Sequence, residues 1–251
     1  MLDQITIHII NSDEGDDRIS YDSPSLDYMR QLFSMEDLAS VFPAAPFFTD
    51  DPEDQGPLEI VEKTAFRPDD DDACPLTVTI DPGYSFGDGR HATTWLCVKY
   101  LVEYLADVPR PERPGISLLD AGTGTGVLAI VAAKLGIHDI DAFDIYHHAV
   151  QCAKNNCLRN DCGYIRVCES DIAAFNPGRT YDIVMANLVS DVIIANLDAL
   201  MRLAAPGGVI IASGVSSGRI ESMQDYFRRA GLDQDDRAVR DGWCGFLLRR
   251  A

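Results

Sequence analysis

A glycine-rich segment is the clearest candidate for a functional site in the sequence. Asp120-Ala121-Gly122-Thr123-Gly124-Thr125-Gly126 follows the apolar pair Leu118-Leu119 and precedes an apolar helical pattern. A backbone without Cβ atoms lets a ligand come close, and the amide groups at the start of a helix point toward it. A second apolar run ends at Asp144, where a carboxylate can bind the hydroxyl pair of a ribose. The spacing therefore predicts a nucleoside-binding site.

The glycine spacing favours S-adenosylmethionine over a dinucleotide. The pattern is D-x-G-x-G-x-G, whereas a pyrophosphate at a helix start calls for G-x-G-x-x-G. The first acid of the pattern can approach the cationic methionyl amine, directly or through water. A glycine-rich turn without a ligand is the alternative. The predicted cofactor contacts from this region are Asp120, Gly122, Gly124, Gly126 and Asp144.

Two polar residues after later strands extend the same site. Asp171 follows the third predicted strand of the main sheet and could reach the adenine amino group, although a solvated turn is an equal alternative. Asn187 ends the fourth strand, where a methyl acceptor normally arrives. Leu188-Val189 follows it in place of an N-P-P-Y type loop, which argues against an adenine or glutamine acceptor. Asn187 as an unspecialised strand end or helix N-cap is the alternative.

Strand-like apolar runs alternate with helical segments from about residue 76 onward. This alternation predicts βαβ units and a mostly parallel sheet. Together with the S-adenosylmethionine site predicted above, it indicates an α/β, Rossmann-like fold of the class I methyltransferase type. We expect a seven-stranded, mostly parallel sheet with helices on both faces. The predicted strands are Ser117–Asp120, Ile140–Asp144, Tyr164–Cys168, Ile183–Ala186, Val209–Ser213, Gln234–Val239 and Trp243–Leu248. The predicted helices are Ala92–Ala106, Val127–Leu135, His148–Asn160, Val192–Leu203 and Arg219–Ala230.

Residues 1–75 differ in character from residues 76–251, the predicted methyltransferase domain. They hold a strand-like run at Ile5–Ile10, a helical pattern at Leu26–Phe42 and acidic clusters that favour solvated loops. The stretch 67–75 is the best linker. We expect a small acidic α+β N-terminal domain with substrate recognition as its candidate role.

The composition favours a basic protein partner over nucleic acid. The 251 residues carry a formal net charge of −19, with 40 Asp and Glu against 21 Lys and Arg. A surface this negative repels phosphate backbones and attracts cationic partners. We therefore expect a basic protein substrate and no direct nucleic-acid binding. Solubility, or adaptation to a salty cytoplasm, explains the charge equally well.

The sequence indicates neither a membrane segment nor a metal site. No apolar run approaches the roughly 18 residues that cross a bilayer, and the N-terminal residues lack a signal-peptide layout. The seven cysteines form no C-x-x-C pair, and Cys152, Cys157 and Cys162 recur every five residues, which rotates them around a helix. We expect reduced thiols, no metal, no membrane contact and a cytoplasmic location.

Several segments, taken in order, resemble one methyltransferase family. The most particular is an F-G-x-G-x-H-x-T-T pattern ahead of the glycine loop, which is not a general methyltransferase feature. From about residue 80 to the end, the chain resembles the PrmA-type ribosomal protein methyltransferases, which methylate the stalk-base protein L11. The segments are DPGYSFGDGRHATT (81–94), LLDAGTGTGVLAIVAAKLG (118–136), FDIYHHAVQCAKNNCLRN (143–160), YDIVMANLV (181–189) and LAAPGGVIIASGV (203–215).

The resemblance implies a set of cofactor contacts and a closing loop. Thr94, Gly122, Asp144 and Asn187 would contact S-adenosylmethionine, and Phe86 to His91 would close over the cofactor and the acceptor amine. The same loop is rich in glycine and polar residues before a helix, which suits a ligand-capping segment but also an ordinary turn. Asn187 is the candidate that orients the amine. His91 is the titratable candidate for catalysis, with a structural role as its rival.

The sequence thus predicts a methyltransferase that uses S-adenosylmethionine to methylate lysine or N-terminal amines of a protein, a ribosomal protein being the candidate substrate. Two other readings stay open at this point. One is a small-molecule methyltransferase on the same fold, and the other is a non-catalytic module that binds S-adenosylmethionine.

Overall fold

A small three-stranded sheet lies ahead of the main sheet in the structure, a computed structural model that describes residues 7–11, 58–60, 76–81, 89 and 91–250. The strand β1 (Ile7–Asn11) pairs antiparallel with β2 (Leu58–Ile60) and parallel with β3 (Leu76–Ile80). The predicted strand Ile5–Ile10 is confirmed with shifted bounds, whereas β2 and β3 were not predicted. The predicted helix Leu26–Phe42 and the linker 67–75 lie outside the described residues.

The main sheet has seven strands in the order β6-β5-β4-β7-β8-β10-β9. The strands β4 to β8 pair in parallel, and β10 runs antiparallel to both of its neighbours. The chain order reverses on either side of β4, which is where open α/β sheets bind ligands. The prediction of a seven-stranded, mostly parallel sheet is confirmed. The strands are β4 (Ser117–Ala121), β5 (Asp139–Asp144), β6 (Arg166–Glu169), β7 (Tyr181–Asn187), β8 (Ala204–Ser216), β9 (Leu232–Arg240) and β10 (Trp243–Arg250).

Helices cover both faces of this sheet and bury its alternating apolar side chains. The first three, α1 (Ala92–Ala106), α2 (Val127–Lys134) and α3 (His147–Arg159), share one buried cluster with alternate residues of β4, β5, β7 and β8. The others pack in a second cluster with the opposite set of strand residues. They are α4 (Ser190–Ala195), α5 (Leu197–Leu203) and α6 (Ile220–Arg229). No helix of the described residues has the length and hydropathy that a membrane span requires.

One predicted helix is two helices in the structure. The pattern over Val192–Leu203 predicted a continuous helix, but α4 ends at Ala195 and α5 begins at Leu197. Asn196 lies between them outside helical geometry, and its side-chain amide donates to the carbonyl of Val192 at 2.9 Å. An asparagine that bonds to a nearby carbonyl competes with the helical hydrogen-bond ladder, which explains the break. The other predicted helix bounds differ from the observed ones by at most one residue.

The strand β3 joins the small sheet to the methyltransferase core. Its residues Val78 and Ile80 are fully buried in the cluster that also contains residues of α2 and α3. Its backbone pairs with β1. This strand therefore fixes the position at which the segment leading to α1 begins.

Candidate functional site

The glycine loop between β4 and α2 is anchored against the end of β5. The amides of Gly122 and Thr123 both donate to the carbonyl of Phe143 at 2.9 Å. Gly122, Gly124 and Gly126 all have positive φ angles, of 75°, 55° and 85°, a region that favours glycine because it has no Cβ. The loop therefore has a fixed shape and lies at the point where the strand order reverses.

Two of these glycines also permit close contact with neighbouring segments. A Cβ at Gly122 would lie 2.5 Å from Cδ2 of Leu188, and one at Gly126 would lie 3.3 Å from Cα of Ala153. Leu188 directly follows Asn187, and Ala153 lies on α3. The loop is thus packed between the predicted acceptor side of the site and α3.

Asp144 connects the glycine loop to the start of α3. Its carboxylate is buried and accepts from the amide of Gly124 at 2.9 Å and from the amide of Tyr146 at 3.0 Å. The two bonds fix the carboxylate at the carboxyl end of β5, next to the glycine loop. This position suits the predicted contact with a ribose hydroxyl pair.

Asp120 is buried beneath the glycine loop. It is 1% exposed, and its Oδ2 accepts from the Thr123 hydroxyl at 2.7 Å and from the Ala129 amide at 3.2 Å. Burial raises the pKa of this carboxyl to about 6, and the two hydrogen bonds offset part of that rise. The predicted cofactor contact therefore also holds the loop and the first turn of α2.

Asn187 lies at the carboxyl end of β7, beside the glycine loop. It pairs with Ser213 of β8, and the amide of Leu188 donates to the Ser213 carbonyl at 2.9 Å. Its half-buried side chain forms no hydrogen bond within the part of the chain that the structure describes. The amide group is thus available to a ligand at the position predicted for the acceptor.

Thr94 has a buried hydroxyl without a partner. The residue is 0% exposed in the first turn of α1, and its Oγ1 has no hydrogen bond to any described residue. One turn further along α1, burial and then the charge of Asp120, which lies beneath the glycine loop, raise the pKa of the Cys97 thiol. An unsatisfied hydroxyl beside this loop fits a residue that binds a cofactor through its side chain.

His91 caps α1 with its side chain. The Thr93 amide lies 3.3 Å from His91 Nδ1, and the Thr93 hydroxyl lies 2.8 Å from the same nitrogen. The ring packs edge-on against Trp243, with 5.0 Å between centroids. These contacts support the structural reading of His91, and its catalytic role stays a prediction.

The remaining predicted contacts are Asp171 and Phe86. Asp171 is exposed, and its Oδ1 accepts from the Ala173 amide at 2.8 Å, which is the bond pattern of a turn. Phe86 lies outside the described residues. Among the residues that the structure does describe, no group of acidic, histidine and cysteine side chains could hold a metal ion.

Sequence reasoning missed Asn156, which reaches the glycine loop from α3. Its Nδ2 donates to the Thr125 carbonyl at 2.9 Å, and the residue is fully buried. The spacing of Asn156 and Asn160 on one helix face was the only local signal.

Comparisons with known proteins point to one family. Residues 53–251 match the family described as Ribosomal protein L11 methyltransferase (PrmA), so the match begins earlier than the motifs quoted above. A ribosomal protein L11 methyltransferase of Listeria monocytogenes serotype 4b is 31% identical over 199 residues, 77% of this chain and 61% of that protein. One of Pelotomaculum thermopropionicum is 37% identical over 175 residues, 69% of this chain and 54% of that protein. The chain thus spans between 54% and 61% of the length of these two relatives.

Solved structures share the fold. A ribosomal protein L11 methylase from Lactobacillus delbrueckii subsp. bulgaricus superposes with a TM-score of 0.63 at 24% identity, covering 71% of this chain and 88% of that one. An S-adenosylmethionine-dependent methyltransferase from Clostridium acetobutylicum superposes with a TM-score of 0.51 at 14% identity, covering 62% and 91%. The predicted fold class is confirmed, and S-adenosylmethionine as cofactor agrees with the family match. The chain belongs to the ribosomal protein L11 methyltransferase (PrmA) family.

Proposed function

We propose that this chain is an S-adenosylmethionine-dependent methyltransferase that methylates lysine or N-terminal amines of a ribosomal protein, with L11 as the candidate substrate. One observation carries the proposal. The side-chain amide of Asn187 lies at the end of β7 and has no hydrogen bond to the described residues, and the next residue, Leu188, contacts the glycine loop. A polar group that could orient an amine therefore lies beside the predicted cofactor site.

The glycine loop and three side chains would hold the cofactor. The glycine loop would approach its methionyl part, the carboxylate of Asp144 would accept from the ribose hydroxyls, and the buried Thr94 hydroxyl would gain its missing partner. Asp120, in its ionised form, would face the methionyl amine directly or through water. The bound cofactor supplies an electrophilic methyl group on a sulfonium. The chain's own task is then to hold both reactants, because effective molarity alone can lower a barrier by roughly 7 to 11 kcal/mol.

The acceptor must reach the site as a neutral amine. A lysine amine has a pKa of about 10.4, and burial beside apolar side chains lowers the pKa of such a group. Leu188 and Val189 follow Asn187 and offer that apolar surface. The Asn187 side-chain oxygen can accept a hydrogen bond from the amine and direct its lone pair toward the methyl group. His91, which caps α1 with Nδ1, is assigned a positioning role in this proposal.

Substrate recognition is proposed for residues 1–75, as a small N-terminal domain. Because the chain spans between 54% and 61% of its two reported relatives, the substrate of those proteins is carried over here as a hypothesis. The net charge of −19 favours a basic ribosomal protein and disfavours direct nucleic-acid contact. Action on a ribosomal protein implies a cytoplasmic location.

The experiment is a methyl-transfer assay with purified L11, methyl-labelled S-adenosylmethionine and mass detection. Wild-type protein should add methyl groups to L11 amines. Asn187→Ala should lower turnover by tenfold or more with an unchanged melting temperature, and the exposed Asp198→Ala should leave turnover unchanged. Label on small metabolites of an extract but not on L11 would favour a small-molecule methyltransferase. Cofactor binding without transfer to L11 or to any extract component would indicate a non-catalytic module.

A further inference from the structure

Two asparagines one turn apart, Asn156 on α3 and Asn160 at its C-cap, hold the backbone of the segment that leads toward the site. Asn160 accepts from the Thr79 amide at 2.9 Å and donates to the Thr79 carbonyl at 2.7 Å. Asn156 accepts from the Asp81 amide at 2.9 Å and donates to the Asp81 carbonyl at 2.9 Å. Each side-chain amide thus binds both polar groups of one residue. We call Asn156 and Asn160 the asparagine clamp.

The asparagine clamp substitutes for a neighbouring strand. Among the described strands, β3 lies at the edge of its sheet and pairs with β1 on the other side. The amide and carbonyl of alternate residues in a strand point to the same edge, so Thr79 and Asp81 present theirs together. An edge strand with open backbone groups is a liability that proteins cover. The clamp covers this one and fixes its register along α3.

Asn156 makes one contact that Asn160 does not. Its Nδ2 also donates to the carbonyl of Thr125 in the glycine loop at 2.9 Å. The loop is already in contact with α3 next to this bond, because a Cβ at Gly126 would lie 3.2 Å from Cβ of Ala153. A single buried amide therefore connects the end of β3 to the predicted cofactor loop.

We infer that Asn156 is a positioning residue that couples the end of β3 to the proposed cofactor site. Asp81 begins the segment that ends at His91, and His91 caps α1. Asn156 sets the first end of this segment and the glycine loop together, while Asn160 sets only the strand. Cofactor binding should therefore tighten the end of β3, and loss of Asn156 should weaken cofactor binding. The inference rests on the proposed function only for its cofactor.

The test measures two quantities on the full chain. Hydrogen–deuterium exchange reports the protection of a peptide that covers Thr79 and Asp81, with and without S-adenosylmethionine. Calorimetry reports the cofactor Kd. In the wild type, saturating cofactor should slow exchange in this peptide, because coupling between two sites is reciprocal.

The matched pair is Asn156→Ala against Asn160→Ala. Both should speed exchange in the peptide. Only Asn156→Ala should raise the cofactor Kd, by about fivefold, the change that one net hydrogen bond carries, and it should abolish the cofactor effect on exchange. Asn156→Ser retains a small polar side chain and serves where the alanine variant does not fold.

The outcomes separate the inference from the proposed function. An equal cofactor Kd in both variants and the wild type, or equal weakening in both variants, would overturn the coupling role of Asn156. So would unchanged exchange in the wild type on cofactor addition. If the wild type binds no S-adenosylmethionine at all, the proposed function fails and the inference fails with it.

Discussion

At the scale of single residues, the buried Thr94 hydroxyl provides a direct test of the cofactor site. A buried donor without a partner costs about 1 to 3 kcal/mol, and Thr94 Oγ1 has no partner among the described residues. Thr94→Val replaces the hydroxyl with a methyl of similar size. We expect the free energy of unfolding of the free protein to rise by about 1 kcal/mol, while the cofactor Kd rises by about tenfold. Denaturant unfolding and calorimetry measure the two effects.

Thr94→Ser is the control, because it keeps the hydroxyl and removes a methyl group. Its cofactor Kd should stay close to that of the wild type. A valine variant that binds the cofactor as tightly as the wild type would remove Thr94 from the site.

Asp120 gives a second residue-scale prediction, on pH. Burial raises the pKa of this carboxyl to about 6 in the folded protein, above the unfolded value of about 3.9. Since the native state then binds more protons than the unfolded state, the free energy of unfolding falls as pH rises from about 4 to about 6, by up to about 3 kcal/mol. Cofactor affinity should change in the opposite direction, because only the carboxylate attracts the cationic amine.

Asp120→Asn isolates this group from the other titrating residues. Both hydrogen bonds reach the same oxygen, Oδ2, so an asparagine carbonyl can accept both. We expect the variant to be more stable than the wild type at pH 7, with a difference that disappears near pH 4. Its cofactor Kd should be higher than that of the wild type at pH 7.5 and should change little down to pH 5.5. Parallel urea titrations and calorimetry across this range provide the measurement, and identical pH profiles for the two proteins would contradict it.

The residues found from sequence and those missed differ in how local their signal is. The glycine loop, Asp144 and Asn187 could be predicted as site residues because each follows directly from spacing at the end of one strand. Asn156 was missed because its partner Asp81 is 75 residues away in the chain. Only the packing of β3 against α3 brings the two together, and no local sequence pattern predicts that contact.

At the scale of elements, the periodicity of apolar residues was sufficient to predict most strands and helices. All seven strands of the main sheet were predicted, because runs such as Ile183–Ala186 are apolar on both faces and are bounded by turn residues. β3 was missed although its sequence LTVTI alternates, since five residues next to an acidic stretch gave a weak signal. The break at Asn196 depends on one side-chain hydrogen bond, which periodicity does not encode.

A buried arginine joins the ends of two helices and yields an element-scale prediction. Arg113 donates to the carbonyls of Leu105, Val108 and Leu135 at 3.0, 3.1 and 3.0 Å. These carbonyls lie at or just past the carboxyl ends of α1 and α2, where the regular helical hydrogen-bond ladder ends. Arg113→Lys cannot satisfy all three with one ammonium group. We expect a loss of about 3 kcal/mol in the free energy of unfolding, measured by urea unfolding.

Arg110 is exposed and lies with Arg113 in the 3-10 helix Arg110–Gly115. It is the matched control, and Arg110→Lys should change stability by less than about 0.5 kcal/mol. Because Arg113 contacts the carboxyl end of α1 and Thr94 lies in its first turn, the folded Arg113→Lys variant should bind the cofactor with the wild-type Kd. A weakened Kd would show that the ends of α1 and α2 position the site as well as stabilise the fold.

At the scale of the whole molecule, the net charge of −19 should govern the encounter with a basic protein but not the binding of the cofactor. The proposed cofactor site contains buried groups such as Asp120 and Asp144, whose interactions salt screens little. Protein association instead depends on long-range attraction, which salt screens beyond about 10 Å at 0.1 M. Exposed acids on the outermost strand β9, such as Asp233, add to that field.

We therefore expect added salt to weaken the kinetics of the protein substrate without affecting the cofactor. Between about 0.05 and 0.5 M sodium chloride, the KM for L11 should rise several-fold while kcat and the cofactor Kd stay nearly constant, because steering acts on association. A short neutral peptide that carries the acceptor amine is the control, and its KM should not follow salt. A salt-independent KM for L11 would indicate that the acidic surface serves solubility, and that contacts near Asn187 alone select the acceptor.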